Sequence, residues 1–278
     1  MILITGVNGY LGHLIYKSLT QNFDIYGASR KKNRYTDFLI DFNNPNFNLK
    51  KFKRLKIHTI IHLVSLNQND AEKNKDKSKI ISEIGIVKLL EFASKIGVKR
   101  IIYFSSSQIY GKNLKGIVNE KTIPKPVNNY SKTHFKVENI CKNFSNKFKN
   151  GIIILRLSNI IGSPNRKKKQ LWKLVCNDLC YQAVKNKKII LQSSGKQYRD
   201  FVSIYSLIEV LEKIIVSKDF KNKNYIFNMG SSKSISIIQL AKLIQNRCKL
   251  IFKYKPKLLT KKNKIEVFSK NIYQNNKL

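Results

Sequence analysis

Tyr130 and His134 stand four residues apart in "NNYSKTHFKVE" (residues 128–138), a stretch with helical patterning. That spacing puts two side chains on one helix face. A phenol can give or take a proton, and an imidazole beside it can bind hydroxyls or carry charge near neutrality. The pair is either catalytic machinery or two neighbours on a face. A second chemical element opens the chain. "TGVNGYLG" (residues 5–12) sets Gly6, Gly9 and Gly12 behind an apolar run and ahead of a helical pattern. Glycines at a strand-to-helix junction allow a tight turn, let the backbone approach a pyrophosphate and let the helix pack closely. Free N–H groups and the partial positive charge of the helix start then favour phosphate by about 0.3–2 kcal/mol. Asn8, Tyr10 and Leu11 complete this loop, which is expected to hold a dinucleotide.

Roughly 20 residues beyond such a loop, an acidic side chain often takes the adenosine ribose. Here the second strand ends in Ser29, Arg30 and Lys31, with no carboxylate. A hydroxyl followed by two cations suits a 2′-phosphate, which favours NADP over NAD. The other reading is a pair of surface cations in a very basic protein.

The elements that must position these residues follow from periodicity. Strands are expected at 1–6, 23–30, 59–65, 99–107 and 151–159, alternating with helices after residue 10, at 79–96 and from Tyr130 onward. Strands apolar throughout, alternating with helices, indicate a parallel sheet covered on both faces. The expected fold is α/β: a Rossmann-type doubly wound parallel sheet with a smaller C-terminal substrate-binding subdomain. Its boundary falls near residue 160, and segments near 199–206 return to the Rossmann core. Past 160 the pattern predicts helices at 170–185, 205–217 and 236–248 and strands at 188–192, 199–204 and 225–230. Residues 264–278 are polar and weakly patterned and are expected to fray.

Composition bounds the possible functions. The 278 residues are 42% apolar, enough for a sizeable core, and no apolar run reaches the ~18–20 residues of a membrane span. With "MILITG" reading as a first strand, a soluble cytoplasmic protein is expected. Net charge is +38, from 54 Lys and Arg against 16 Asp and Glu. The lysines are spread over nearly all segments in short runs such as "RKKK" (166–169), with no nucleic-acid-binding motif beside them. A nucleic-acid partner is therefore not expected, although the field attracts anionic ligands. Cys141, Cys176, Cys180 and Cys248 form no disulfide or zinc pattern, so no metal site is expected.

Motif by motif, the chain resembles the extended short-chain dehydrogenase/reductases of the NAD-dependent epimerase/dehydratase family, which act on nucleotide sugars. The resemblance covers nearly the whole length. It rests on "TGVNGYLG", Asp41–Phe42, "IIHLVS", "YFSSSQIYG", Tyr130, "LRLSNIIGSP", "GKQYRDFVSI" and "NMGSS". It implies Asp41 and Phe42 at the adenine, Leu63 in the wall of the cofactor site, and Ser106 and Tyr130 as catalytic residues. It also implies Asn159 near the substrate and Arg199 on a nucleotide phosphate, where bidentate donation suits arginine. A structural alternative has Arg156 and Asp200 in fold-building ion pairs and Asn159 as a strand cap. The resemblance further implies a homodimer built on the helices at 79–96 and 131–146.

Two departures from the family pattern bear on chemistry. Ser107 and Gln108 stand where dehydratases carry acids, which disfavours 4,6-dehydration. His134 stands where the Tyr-x-x-x-Lys signature has lysine; Lys132, two residues away, points to another helix face. The lysine normally binds ribose hydroxyls and lowers the pKa of the phenol from about 10 by about 2–3 units, or ~3–4 kcal/mol. Histidine can bind the same hydroxyls but is mostly neutral at pH 7. The expected activity is a nucleotide-sugar epimerase or 4-ketoreductase with an alkaline-shifted rate. The alternative is a regulator of the same fold that binds dinucleotide without turnover.

Overall fold

The computed structural model describes residues 1–44, 46–47, 49–112, 114–145, 151–163, 169–220, 224–261 and 270–274. Pro164, residues 166–168 of the basic run, and residues 264–269 and 275–278 of the C-terminal stretch lie outside that set.

Seven strands form one sheet in the spatial order Asn224–Met229, Gly151–Leu157, Arg100–Ser106, Thr59–His62, Ile2–Thr5, Ile25–Ser29, Phe38–Leu39. Every neighbouring pair is parallel. The central strands are buried end to end, and successive side chains enter different cores. Leu3, Ile60, Ile101 and Ile152 join one cluster with Leu89, Leu90 and Val137. Ile4, Ile61, Ile102 and Ile153 join the other with Ile15, Leu207 and Leu211. One face is thus covered by the helices Tyr10–Leu19 and Ile204–Val216, the other by Gly85–Lys95 and Asn129–Ser145. The chain starts mid-sheet, runs to one edge, returns beside its first strand and runs to the other edge. The order reverses between Ile2–Thr5 and Thr59–His62, and a crevice opens beyond the carboxyl ends of strands at such a switch point.

A second layer follows the sixth sheet strand. Asn159–Ile161 pairs in parallel with Tyr198–Ser203, which pairs antiparallel with Ser234–Ser236. Val202 and Ile204 pack into the core beneath the large sheet. Helices Val175–Lys185 and Ile237–Phe252 enclose a separate cluster with the parallel strands Lys188–Leu191 and Lys257–Thr260. The last helix starts on a capping box, Ser236 with Gln239.

Several expected elements take different bounds. Of the helix expected at 79–96, Lys79–Ile84 is wound as a π-helix and only Gly85–Lys95 is α-helical; six residues are too few for periodicity to distinguish the two windings. Lys169–Lys173 is a 3-10 turn ahead of the α-helix Val175–Lys185. The final helix continues past Cys248 to Phe252, where Lys253 takes a left-handed conformation and stops it. The expected fraying is wrong for Asn271–Tyr273, which pairs in parallel with Gly116–Val118, with Ile272 beside Ile117. Two strands of three residues, each completed by a partner more than 150 positions away, leave no local pattern.

Candidate active site

At the switch point lies a cleft of about 1060 Å³. Gly6, Gly9, Tyr10, Leu11 and Gly12 form one wall. The turn there is dictated by geometry. Gly6 has φ +80°, and a Cβ at this position would stand 3.2 Å from the Leu63 carbonyl carbon. A Cβ on Gly12 would overlap the Gly6 carbonyl oxygen, so the first helix could not pack against its own loop. A smaller pocket of about 270 Å³ shares Gly6, Gly9 and Leu63 and is lined further by Ser29, Arg30, Ile40, Asp41 and Phe42. Phe42 is buried edge-on to His62, and exposed Asp41 accepts hydrogen bonds from the backbone and side chain of Asn43.

Two residues of the loop serve as ties. Asn8 lines neither cavity; its side chain donates to the Lys31 carbonyl (2.5 Å) and accepts from Thr36 Oγ1 (3.1 Å). It holds the turn that follows Arg30. The Tyr10 phenol donates to the Gly162 carbonyl (2.8 Å), accepts from the Gly162 N–H (2.9 Å) and also hydrogen-bonds the Asn177 side chain.

Opposite the glycine wall, the helix Asn129–Ser145 presents Tyr130 and His134, and the strand Arg100–Ser106 presents Ser105 and Ser106. The helix start is held by side chains: Asn129 Nδ2 donates to the Ala71 carbonyl, Ser131 N–H to Asn128 Oδ1 (2.8 Å), and Tyr130 N–H to Glu72 Oε1 (3.2 Å). Burial raises the Tyr130 pKa above its ordinary value, and a hydrogen bond from Ser106 pulls against that shift. The rings of Tyr130 and His134 meet edge to face with centroids 4.5 Å apart. His134 is 4% exposed, and burial lowers its pKa to about 4. Its Nδ1 lies 2.7 Å from the Tyr103 hydroxyl, and its Nε2 has no hydrogen-bond partner. The imidazole is therefore neutral at pH 7, with one ring nitrogen committed to the protein and one left over.

One helical turn further, Glu138 is fully buried and satisfied. It accepts from Ser105 Oγ (2.6 Å) and forms a paired ion bridge with Arg156, whose Nη2 stands at 2.7 Å and Nε at 3.0 Å. Arg156 Nη1 also donates to the Tyr110 hydroxyl (2.8 Å), which donates to Asn228 Oδ1 (2.6 Å). Arg156 is thus a fold-building ion pair, as the structural alternative anticipated. Asp200 is not: it accepts hydrogen bonds from Ser158 and Ser231.

Asn159 and Arg199 both line the cleft. Asn159 Nδ2 donates to the Asp200 carbonyl (2.8 Å), which fixes its carboxamide across adjoining strands, and Arg199 is exposed. Ser65, in the "HLVS" stretch expected to line the cofactor, does line the cleft, while sequence reasoning overlooked Gln68, Ser158, Leu171, Leu174, Asn177 and Phe201. A signal existed for Gln68, because Asn67 with Asp70 three residues later marks a helix start, and Asn67 Oδ1 does accept from the Asp70 N–H (3.0 Å). No comparable local signal marks the others. The paired thiols of Cys176 and Cys180 hydrogen-bond each other. Among the described residues, no group of three His, Cys, Asp or Glu side chains is placed to hold a metal ion. None of the described helices is long and apolar enough to cross a membrane.

A dinucleotide suits this site on three grounds. The loop needs glycine for closeness, the smaller pocket lies next to it, and the cleft wall holds a buried imidazole nitrogen without a partner. The sequence matches the NAD dependent epimerase/dehydratase family over residues 2–230, and the chain belongs to that family. A dTDP-D-glucose 4,6-dehydratase of Dictyostelium discoideum is 26% identical over 88% of this chain and 61% of its own length. A GDP-6-deoxy-D-talose 4-dehydrogenase of Aggregatibacter actinomycetemcomitans is 26% identical over 87% of this chain and 78% of its own. Among solved structures, MoeE5 in complex with UDP-glucose and NAD superimposes with a TM-score of 0.79 at 19% identity, covering 99% of this chain and 89% of that one. The last likeness concerns the fold.

Proposed function

We propose that the protein is an NAD(P)-dependent nucleotide-sugar epimerase or 4-ketoreductase that moves a hydride at a sugar carbon, in the synthesis of a surface polysaccharide. The observation that carries this reading is one wall of the cleft: the Tyr130 phenol bonded to Ser106, with the free Nε2 of His134 beside them, opposite the glycine turn. A nicotinamide cofactor bound in the cleft would supply the hydride acceptor and donor. Tyr130 takes the proton of the sugar hydroxyl as the carbonyl forms and gives it back on reduction. Ser106 hydrogen-bonds the same oxygen. His134 binds the ribose hydroxyls of the cofactor through Nε2. Because the imidazole is neutral, it supplies no charge to lower the pKa of the phenol, and the rate rises with pH into the alkaline range.

Further roles follow from position. Gly6, Gly9, Leu11 and Gly12 bear the pyrophosphate, Leu63, Asp41 and Phe42 hold the adenosine end, and Asn159 and Arg199 hold the nucleotide sugar. Ser29 and Arg30 line the adenosine pocket and favour NADP. A homodimer across the helices Gly85–Lys95 and Asn129–Ser145, and a cytoplasmic location, complete the reading. Ser107 and Gln108 offer no carboxylic acid for 4,6-dehydration.

A panel of UDP-, dTDP- and GDP-sugars with NAD and with NADP tests the assignment. Reduced nicotinamide absorbance reports net oxidation or reduction, and chromatography of the sugar reports epimerisation with recycled cofactor. Conversion of at least one sugar, abolished in Tyr130→Phe, is expected. Cofactor binding with no conversion across the panel supports the non-catalytic reading instead, which the neutral imidazole at 134 favours.

A further inference from the structure

His134 is half satisfied in a way that its spacing from Tyr130 does not explain. The residue beneath it is Tyr103, from the middle of the strand Arg100–Ser106, where it follows the aliphatic pair Ile101–Ile102. Tyr103 is 3% exposed, and its hydroxyl has the 2.7 Å contact to His134 Nδ1. No other partner of that hydroxyl is found among the described residues.

Two proton arrangements fit the contact. If Nδ1–H donated to the phenol, the phenolic proton would be buried with no acceptor. If the phenol donates to a bare Nδ1, both atoms are satisfied, and the one imidazole proton must sit on Nε2. We infer that Tyr103 is a positioning residue that fixes His134 in the Nε2–H tautomer, so that the active site offers a neutral N–H donor where a lysine would offer an ammonium. Its catalytic consequence rests on the function proposed above, and its chemistry does not.

The surroundings agree. The titratable groups facing the imidazole are Tyr130 and Glu138 on its own helix, Tyr103 on the adjoining strand, and His62 stacked behind Tyr103 at 6.3 Å between ring centroids. Glu138 is committed to Arg156 and Ser105. None of them offers Nδ1 a second acceptor. A lysine at 134 needs no donor beneath it.

Nitrogen NMR on the ¹⁵N-histidine-labelled full chain tests the tautomer directly, with only four histidines to assign. At pH 7 the wild type is expected to show a protonated Nε2 and an unprotonated, hydrogen-bonded Nδ1 at His134. Tyr103→Phe is expected to shift both resonances toward the mixed tautomers of a free imidazole. A protonated Nδ1 in the wild type, or ring resonances unmoved in Tyr103→Phe, overturns the inference. A double-mutant cycle supplies the functional arm. Tyr103→Phe is expected to weaken NAD(P) binding or lower kcat at least tenfold in the wild type, and less than twofold in His134→Lys. Equal losses in the two backgrounds mean that the phenol serves packing alone, and also overturn it. Absence of turnover with every nucleotide sugar defeats the proposed function and leaves the NMR result to decide the tautomer.

Discussion

His134 and Glu138 lie one turn apart on the same helix, both buried and both polar, yet they are handled in opposite ways. Glu138 is surrounded by donors: Arg156 faces it with Nη2 and Nε, and Ser105 donates to the same Oε1 that Nε meets. His134 is held neutral, bonded on one side and vacant on the other. Burying a charge costs several kcal/mol unless partners surround it, whereas a neutral ring needs less company. The contrast separates support from chemistry. The satisfied group anchors the helix to the sheet, and the unsatisfied one belongs to a residue of the cleft lining.

The sharpest way to break this division is at Tyr130, on the cleft side. Tyr130→Phe is expected to lower kcat by roughly 10²–10⁴-fold while thermal unfolding stays within about 1 kcal/mol of wild type. A large loss of stability with it would mean that the cleft side also supports the fold. Glu138→Gln should do the reverse. An uncompensated Arg156 in the core costs about 3–5 kcal/mol, which lowers the melting temperature by about 10 °C, and scanning calorimetry reads it. A shift below 3 °C would show that water or rearrangement satisfies the arginine.

The pH dependence of stability sharpens the comparison further. His134 and His62 have folded-state pKa values of about 4 and about 3, both below the unfolded value of about 6.5. Their contribution is full above pH 6.5. It declines as pH falls, because the unfolded chain takes up protons that the folded chain refuses. Each histidine removes up to about 1.4 kcal/mol per pH unit, so urea titrations should lose about 5 kcal/mol between pH 7 and 4.5. His134→Gln should remove about half of that slope. The smallest expected effect concerns rate: His134→Lys should move the pH–rate profile down by about one to two units, and an unchanged profile would show that charge at position 134 does not govern the phenol.

Much of this architecture was legible in the residues themselves. The glycine turn and the alternation of strand and helix follow from spacing, because local chain geometry dictates them, whereas the meeting of Ser106, Tyr130, Asn159 and Arg199 in one cleft was anticipated through the family resemblance. Tyr103 and the Ser105–Glu138–Arg156 cluster were harder to see. Their partners stand 31, 33 and 18 positions apart, and only the register of adjoining elements brings them together. The pairing of Asn271–Tyr273 was hidden for the same reason. Asn8 and Tyr10 illustrate a subtler limit: their place in a glycine turn was evident, but the hydrogen bonds that make them fasteners depend on segments farther along the chain.

Tyr10 has a wider effect than its size suggests. A single phenolic oxygen joins the glycine turn to the peptide at Gly162 and the carboxamide at Asn177. The two halves of the crevice are therefore gauged against each other before anything enters. The separation of the two cleft walls is set during folding, so any ligand that spans them meets a gap that costs little further entropy to define.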